Sequence, residues 1–341
     1  MKTIMSLFVC FFFLISVGKS QESKHSFKEN YELSAPAKLF VSTHVGSINV
    51  IPTEGNEIEV LYIAKKNNKI ISINKDDIQK EGILLTVKHN KTSLDLNVKY
   101  PDNYFKSNFS NQVHIGFEIH VPKETECDLI TDEGNITIQG LKSNQQCKTD
   151  DGNINISDVT GNITIKKSDS NINLSKIIGS ISINASDAII HLDEIEGSVF
   201  IKASDKNMYL KNIKGSVNCK TLEGNIELIN VNGKITAKTS EGHILFTDLS
   251  GSINAYSMDG DVKGNVLELK KPVLIEAGGG NIEILLTNNI GLDLNIKGKR
   301  KDTPLQKFRG SSNEYFMKGK INGGGIEVEL LSIDGEIIVN Y

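Results

Sequence analysis

A glycine that returns every nine residues constrains this chain more than any other feature. Stepping by nine from Gly134 to Gly260, eleven of fifteen positions are glycine, with no insertion. Two residues after each marker, fourteen of the fifteen are apolar, Gln145 being the exception. Four residues after, the run Ile138, Cys147, Ile156, Ile165, Leu174 continues just as regularly, and the residues between are polar. Strict alternation of this kind specifies half-buried strands, and no helical period competes with it.

The true unit is eighteen residues, because the corners alternate. Seven positions after the marker, one series reads Leu141, Val159, Ile177, Ile195, Ile213, Val231, Leu249, Leu267. The other reads Asp150, Ser168, Ser186, Ser204, Leu222, Ser240, Met258. One coil therefore has two strands, an apolar corner and a mostly small one, and coils stack at about 4.8 Å over a strip of isoleucine. Proline is absent from 134 to 267, as strands paired on both sides require. The expected fold is all-β: a β-solenoid of seven to eight coils, right-handed by the crossover rule.

Open coils expose unpaired strand edges, so both ends need covers. The expected division is a signal peptide at 1–20, a β-rich N-terminal cap region at 21–130, the solenoid repeat at 131–267, and a C-terminal strand cap at 268–341 that continues it. Strand-like stretches in the first cap are Lys38 to Ile51, Glu57 to Ala64, Ile70 to Asn74, Ile83 to His89, Leu94 to Tyr100 and Val113 to Val121.

Residues 1–20 carry Lys2, an apolar run from Ile4 to Val17, and small residues Gly18 and Ser20 before a cut at Gln21, the pattern of a cleaved export signal. The run is too short for a spanning helix, so no membrane span is expected after cleavage. The chain carries a net charge of −4 and only two arginines, Arg300 and Arg309, which argues against nucleic-acid binding. Cys127, Cys147 and Cys219 remain beyond the signal, without CxxC spacing. Buried apolar thiols with no disulfide are expected, since Cys147 and Cys219 sit four coils apart and Cys127 is offset along its strand.

The string VHIGFEIHVPKETECDLITDEGNITIQGL, the repeated DGNI and GSI units and the ending NGGGIEVELLSIDGEIIVNY together resemble the bacterial adhesin-like family of exported β-strand-repeat proteins. The resemblance spans roughly residues 35 to 341. It implies a β-helix and an exported protein, and brings no catalytic residues with it.

An acid stands just before every second marker: Glu133, Asp151, Asp169, Asp187, Asp205, Glu223, Glu241, Asp259. Calcium is one reading of such a column, but the GGxGxD loops of calcium-binding rolls are missing, and an acid before glycine suits a tight turn. Lysines three residues upstream, Lys148, Lys166, Lys202, Lys220 and Lys238, are expected to neutralise the column. His114 and His120 share a strand face with Glu118 but lie about 20 Å apart, too far to chelate one ion. No GxSxG, HExxH or phosphate loop occurs. Neither metal nor cofactor is expected.

What remains is contact. Ile189, His191 and Tyr209 interrupt the polar pattern on one outer face and Phe200 on the other, while Tyr104, Phe105 and Phe109 sit in a loop from Tyr100 to Gln112. The sequence thus points to an exported, non-catalytic β-solenoid in the periplasm or at the surface of a bacterium, adhesin-like or a scaffold. Its partner would be an envelope protein or a glycan. The alternative is a carbohydrate-active β-helix enzyme, a polysaccharide lyase or hydrolase.

Overall fold

A computed structural model describes residues 25–33, 36–106, 109–166, 169–286, 290–300 and 307–340. The expected export signal at 1–20 lies outside the described residues, as does Ser168.

Each residue of the repeat lies beside the one eighteen positions on. Ile154 pairs with Ile172 and Ile172 with Ile190 on one sheet. Ile163 pairs with Ile181 and Ile181 with Val199 on the other. All these pairs are parallel, and the inward isoleucines between the sheets are fully buried. The chain is a β-solenoid, as its period dictates.

At both ends, order in space departs from order in sequence. The coil of Lys38–Val45 and Ile48–Thr53 stacks in parallel under Glu126–Glu133 and Ile136–Gln139. Its other edge is taken by Ser93–Lys99 and His114–Pro122, which come later in the chain. Antiparallel strands Leu84–His89 and Glu57–Lys66 then cover that outer coil. At the far end the last strand, Ile326–Asn340, slots between Val262–Ala277 and Leu292–Arg300. The coil of Lys38–Val45 and Ile48–Thr53 and the strand Ile326–Asn340 are therefore interior, paired on either side, whereas Phe27–Glu32 pairs, among the described residues, only with Glu57–Lys66.

The two corners solve different problems. In the apolar corner one residue per coil is left-handed: Asp158, Lys176, Glu194, Asn212, Asn230 and Asp248 all have φ between 52° and 57°. The next residue, Val159 through Leu249, turns inward and is buried. The following glycine then passes so close to the coil before it that a side chain cannot fit.

In the acidic corner a buried hydroxyl three residues before the glycine does the capping. Thr239 Oγ1 donates to the Gly224 carbonyl one coil back at 3.2 Å and accepts from the Gly242 N–H at 3.1 Å. Ser257 and Ser332 repeat the arrangement on Gly260 and Gly335. Where Ala185 or Ala203 replaces the hydroxyl, the marker itself is no longer glycine but Ala188 or Lys206.

Three expectations need correction. Leu267 is 56 % exposed, because a bulge sets Val266 opposite Leu249 and Val266 takes the buried corner place. Lys38 to Ile51 is not one strand but two, broken at Gly46. In place of a strand from Ile70 to Asn74, a short helix, Lys75–Lys80, begins at a capping box of Asn74 and Asp77. The third cover strand is reduced to Lys69–Ile70.

Candidate contact surface

The loop after Ser93–Lys99 stands where the neighbouring coil turns at Gly46 and Ser47, between Lys38–Val45 and Ile48–Thr53. It folds back over that corner and builds an aromatic wall. Tyr100 and Phe105 have centroids 4.8 Å apart, Tyr104 and Phe105 5.0 Å, and Phe105 and Phe109 5.4 Å. His44 meets Phe105 at 5.4 Å and His114 meets Phe109 at 4.6 Å. The three loop aromatics singled out in the sequence thus belong to one cluster. Phe109 is the most exposed of them, and Tyr104 and Phe105 are half-buried.

Two hydroxyls fix the wall to the scaffold. Tyr100 accepts from the Ile115 N–H at 2.8 Å and donates to the Val45 carbonyl, and Tyr104 accepts from the Val113 N–H at 3.2 Å. Burial pushes both phenols up from their ordinary pKa, so each stays a neutral hydrogen-bonding group.

The wall borders an open cleft of about 650 Å³. Within the cleft lining, His44 Nδ1, whose ring also meets the wall, and an Asp132 carboxylate oxygen are 2.5 Å apart, and Ser42 and Ile130 line the same cleft. Lys99 and Lys106 stand on its rim. The cleft-forming loop and the pair His44–Asp132 escape a reading by sequence distance, since 88 residues separate the pair. A signal does exist: Thr43-His44-Val45-Gly46-Ser47-Ile48 matches Thr131-Asp132-Glu133-Gly134-Asn135-Ile136 in form, which places His44 over Asp132.

The other flagged residues fall on the solenoid itself. His191 and Tyr209 are register partners and stack with centroids 4.9 Å apart and planes within 9°. Ile189 lies half-buried at the acidic corner. There it interrupts a ladder in which each side chain accepts the backbone N–H one coil on: Asn171 bonds back to Asn153, and Asn225 to Asn207. Phe200 projects from the opposite sheet, 51 % exposed, between Ser182 and Asn218. The structure therefore joins His191 to Tyr209 but leaves Phe200 and the loop cluster as separate places.

The lysines do form a row. Lys148 pairs with Lys166, Lys166 with Asn184, Asn184 with Lys202, Lys202 with Lys220, and Lys220 with Lys238. The expected neutralisation fails, however. None of these five makes an ion pair within 4.0 Å among the described residues; Lys166 instead bonds the Gln146 side chain at 3.1 Å. The acids stand beyond the buried hydroxyl position, on the turn itself, and the one ion pair to the column among the described residues comes from Lys206 to Asp187 at 3.9 Å.

His120 bridges Glu59 and Glu118, at 3.2 and 3.1 Å, while His114 bonds the Phe109 carbonyl. No three metal-ligating side chains converge among the described residues. Cys127, Cys147 and Cys219 are buried free thiols; burial lifts all three, Cys219 to about 12. No helix among the described residues is long and apolar enough to cross a membrane.

No curated protein matches this chain. Several solved structures are similar, among them three at low identity. One is described as a "putative cell adhesion protein" from Clostridium sporogenes, 12 % identical, covering 92 % of this chain and 98 % of that one, with a TM-score of 0.20. A "putative adhesin" from Bacteroides fragilis is 14 % identical, covering 93 % and 98 %, with a TM-score of 0.26. Another from Parabacteroides merdae is 14 % identical, covering 76 % and 95 %, with a TM-score of 0.29. The family model described as Toastrack DUF4097 matches residues 37–244, from the first interior coil through most of the repeat, and the chain belongs to that family.

Proposed function

We propose that this protein is an exported, non-catalytic β-solenoid of the bacterial cell envelope that works by surface contact, as an adhesin-like or scaffold protein. The observation that carries this reading is the cleft. A rigid stack of coils presents an aromatic loop pinned by two tyrosine hydroxyls, which is how a binding surface is pre-organised. The apolar run and small residues at 1–20 support export.

A second reading draws on the pair His44–Asp132, which could move a proton on a sugar in the same cleft and would make the protein a carbohydrate-active enzyme. The test is to incubate the intact protein with envelope polysaccharide fractions and follow both retention and new reducing ends. Retention without turnover is expected. Turnover that Asp132→Asn abolishes would establish the enzyme instead, and absence of any retention would remove the contact role.

A further inference from the structure

The register joins the aromatic cleft and the lysine row into one track. Ser42 and Ile130 line the cleft. Ser42 pairs with Ile130, Ile130 with Lys148, and Lys148 opens the row that runs through Lys166, Lys202 and Lys220 to Lys238. Leaving the cleft along the solenoid axis, one meets an ammonium group at five of six coil levels over about 24 Å. Resting on the surface-contact reading above, we propose that this track binds an acidic polysaccharide, a chain of uronate sugars, with one sugar ring in the cleft and carboxylates along the row.

Three physical points favour that ligand. Aromatic faces pinned at their hydroxyls offer flat apolar surface to a sugar ring at little cost in side-chain entropy. His44 and Asp132 line the same cleft and bring polar atoms for ring hydroxyls. Beyond the cleft, lysines with no ion pair among the described residues recur at the coil spacing, and an extended sugar chain advances by a similar length per residue. Like charges stacked this closely repel each other, and a polyanion relieves that repulsion.

The acidic column opposes such a ligand, because Asp151, Asp169 and Asp205 stand on the turn three residues past the lysines. That opposition gives the proposal a test with opposite signs. Oligogalacturonate and its fully methyl-esterified, neutral counterpart are titrated into the intact protein by calorimetry. The acid form should bind, weakening as salt rises, and the ester should bind at least roughly tenfold more weakly at low salt. The pair Lys166→Ala and Lys202→Ala should weaken the acid form by a similar factor. Phe105→Ala should weaken both forms, and Asp169→Asn with Asp205→Asn should tighten the acid form. These side chains are exposed or on the loop, so an unchanged melting temperature confirms intact folding of each variant.

Equal binding of ester and acid would overturn the role of the row. Equal binding of inorganic polyphosphate, unaffected by Phe105→Ala, would show a generic polyanion surface and overturn the sugar assignment. Retention by envelope material with no binding of oligogalacturonate would sink this inference and leave the contact reading standing.

Discussion

Gly179 lies against Gly161 one coil back, so closely that a Cβ built on Gly179 collides with the Gly161 carbonyl oxygen. Its φ of 151° is also one that residues with side chains avoid. The same contact recurs from Gly161 through Gly251, so the coil spacing and the glycine column explain each other. Gly179→Ala should cost about 3 kcal/mol, read as a lower urea midpoint. A loss below about 0.5 kcal/mol would mean that the coils have slack at this corner.

The acidic corner should fail differently. Thr239→Val keeps the shape but strands the buried Gly242 N–H and the Gly224 carbonyl, at about 1–3 kcal/mol. Thr239→Ser keeps the hydroxyl and should lose less. Equal losses for Val and Ser would show that the methyl group matters and the hydrogen bonds do not. Chemical denaturation of both variants decides this.

At the apolar corner, Glu194 is an exposed residue held at φ 56°, where a side chain costs about 1–2 kcal/mol. Glu194→Asn should therefore leave stability unchanged or raise it by up to about 1 kcal/mol, since Asn tolerates this region. Glu194→Val, branched at Cβ, should lower it. A Val variant as stable as the parent would show that the left-handed column is dispensable there.

The three thiols predict an alkaline limit. Burial raises the Cys219 pKa from 9.0 to about 12, and raises Cys127 and Cys147 in the same direction. Unfolded chains would lose these protons near pH 9 while the folded protein keeps them. The stabilisation is thus fully present below pH 9 and drains away as pH rises toward the folded value. Melting temperature should fall over that window, and a thiol reagent at pH 8 should label Cys219 only on unfolding. Rapid labelling of native protein would contradict the burial.

How far the sequence could be read depended on whether phase survived. From Gly134 to Gly260 every coil has the same length, so counting by nine places Ile163 over Ile181 without a structure. The coil at Gly46 carries the same pattern, Thr43, Gly46, Ile48 and Val50. No spacing joins it to the repeat, because the cover strands and the loop at 100–112 break the count before the period resumes. Ser332, Gly335 and Ile337 at the far end follow the same pattern behind another interruption. The track from the cleft to Lys238 was invisible for the same reason: Ser42 is joined to Ile130 by stacking, not by spacing.

The sequence alone determined the solenoid, because alternation and a constant period are local properties that each coil must satisfy by itself. Tertiary structure decided which coils are neighbours at the ends and where Leu267 points. It also decided that, among the described residues, the five lysines of the row form no ion pair with the acids. Those outcomes turn on contacts between segments far apart in the chain, where loop length sets no register and only the fit of one coil on the next does.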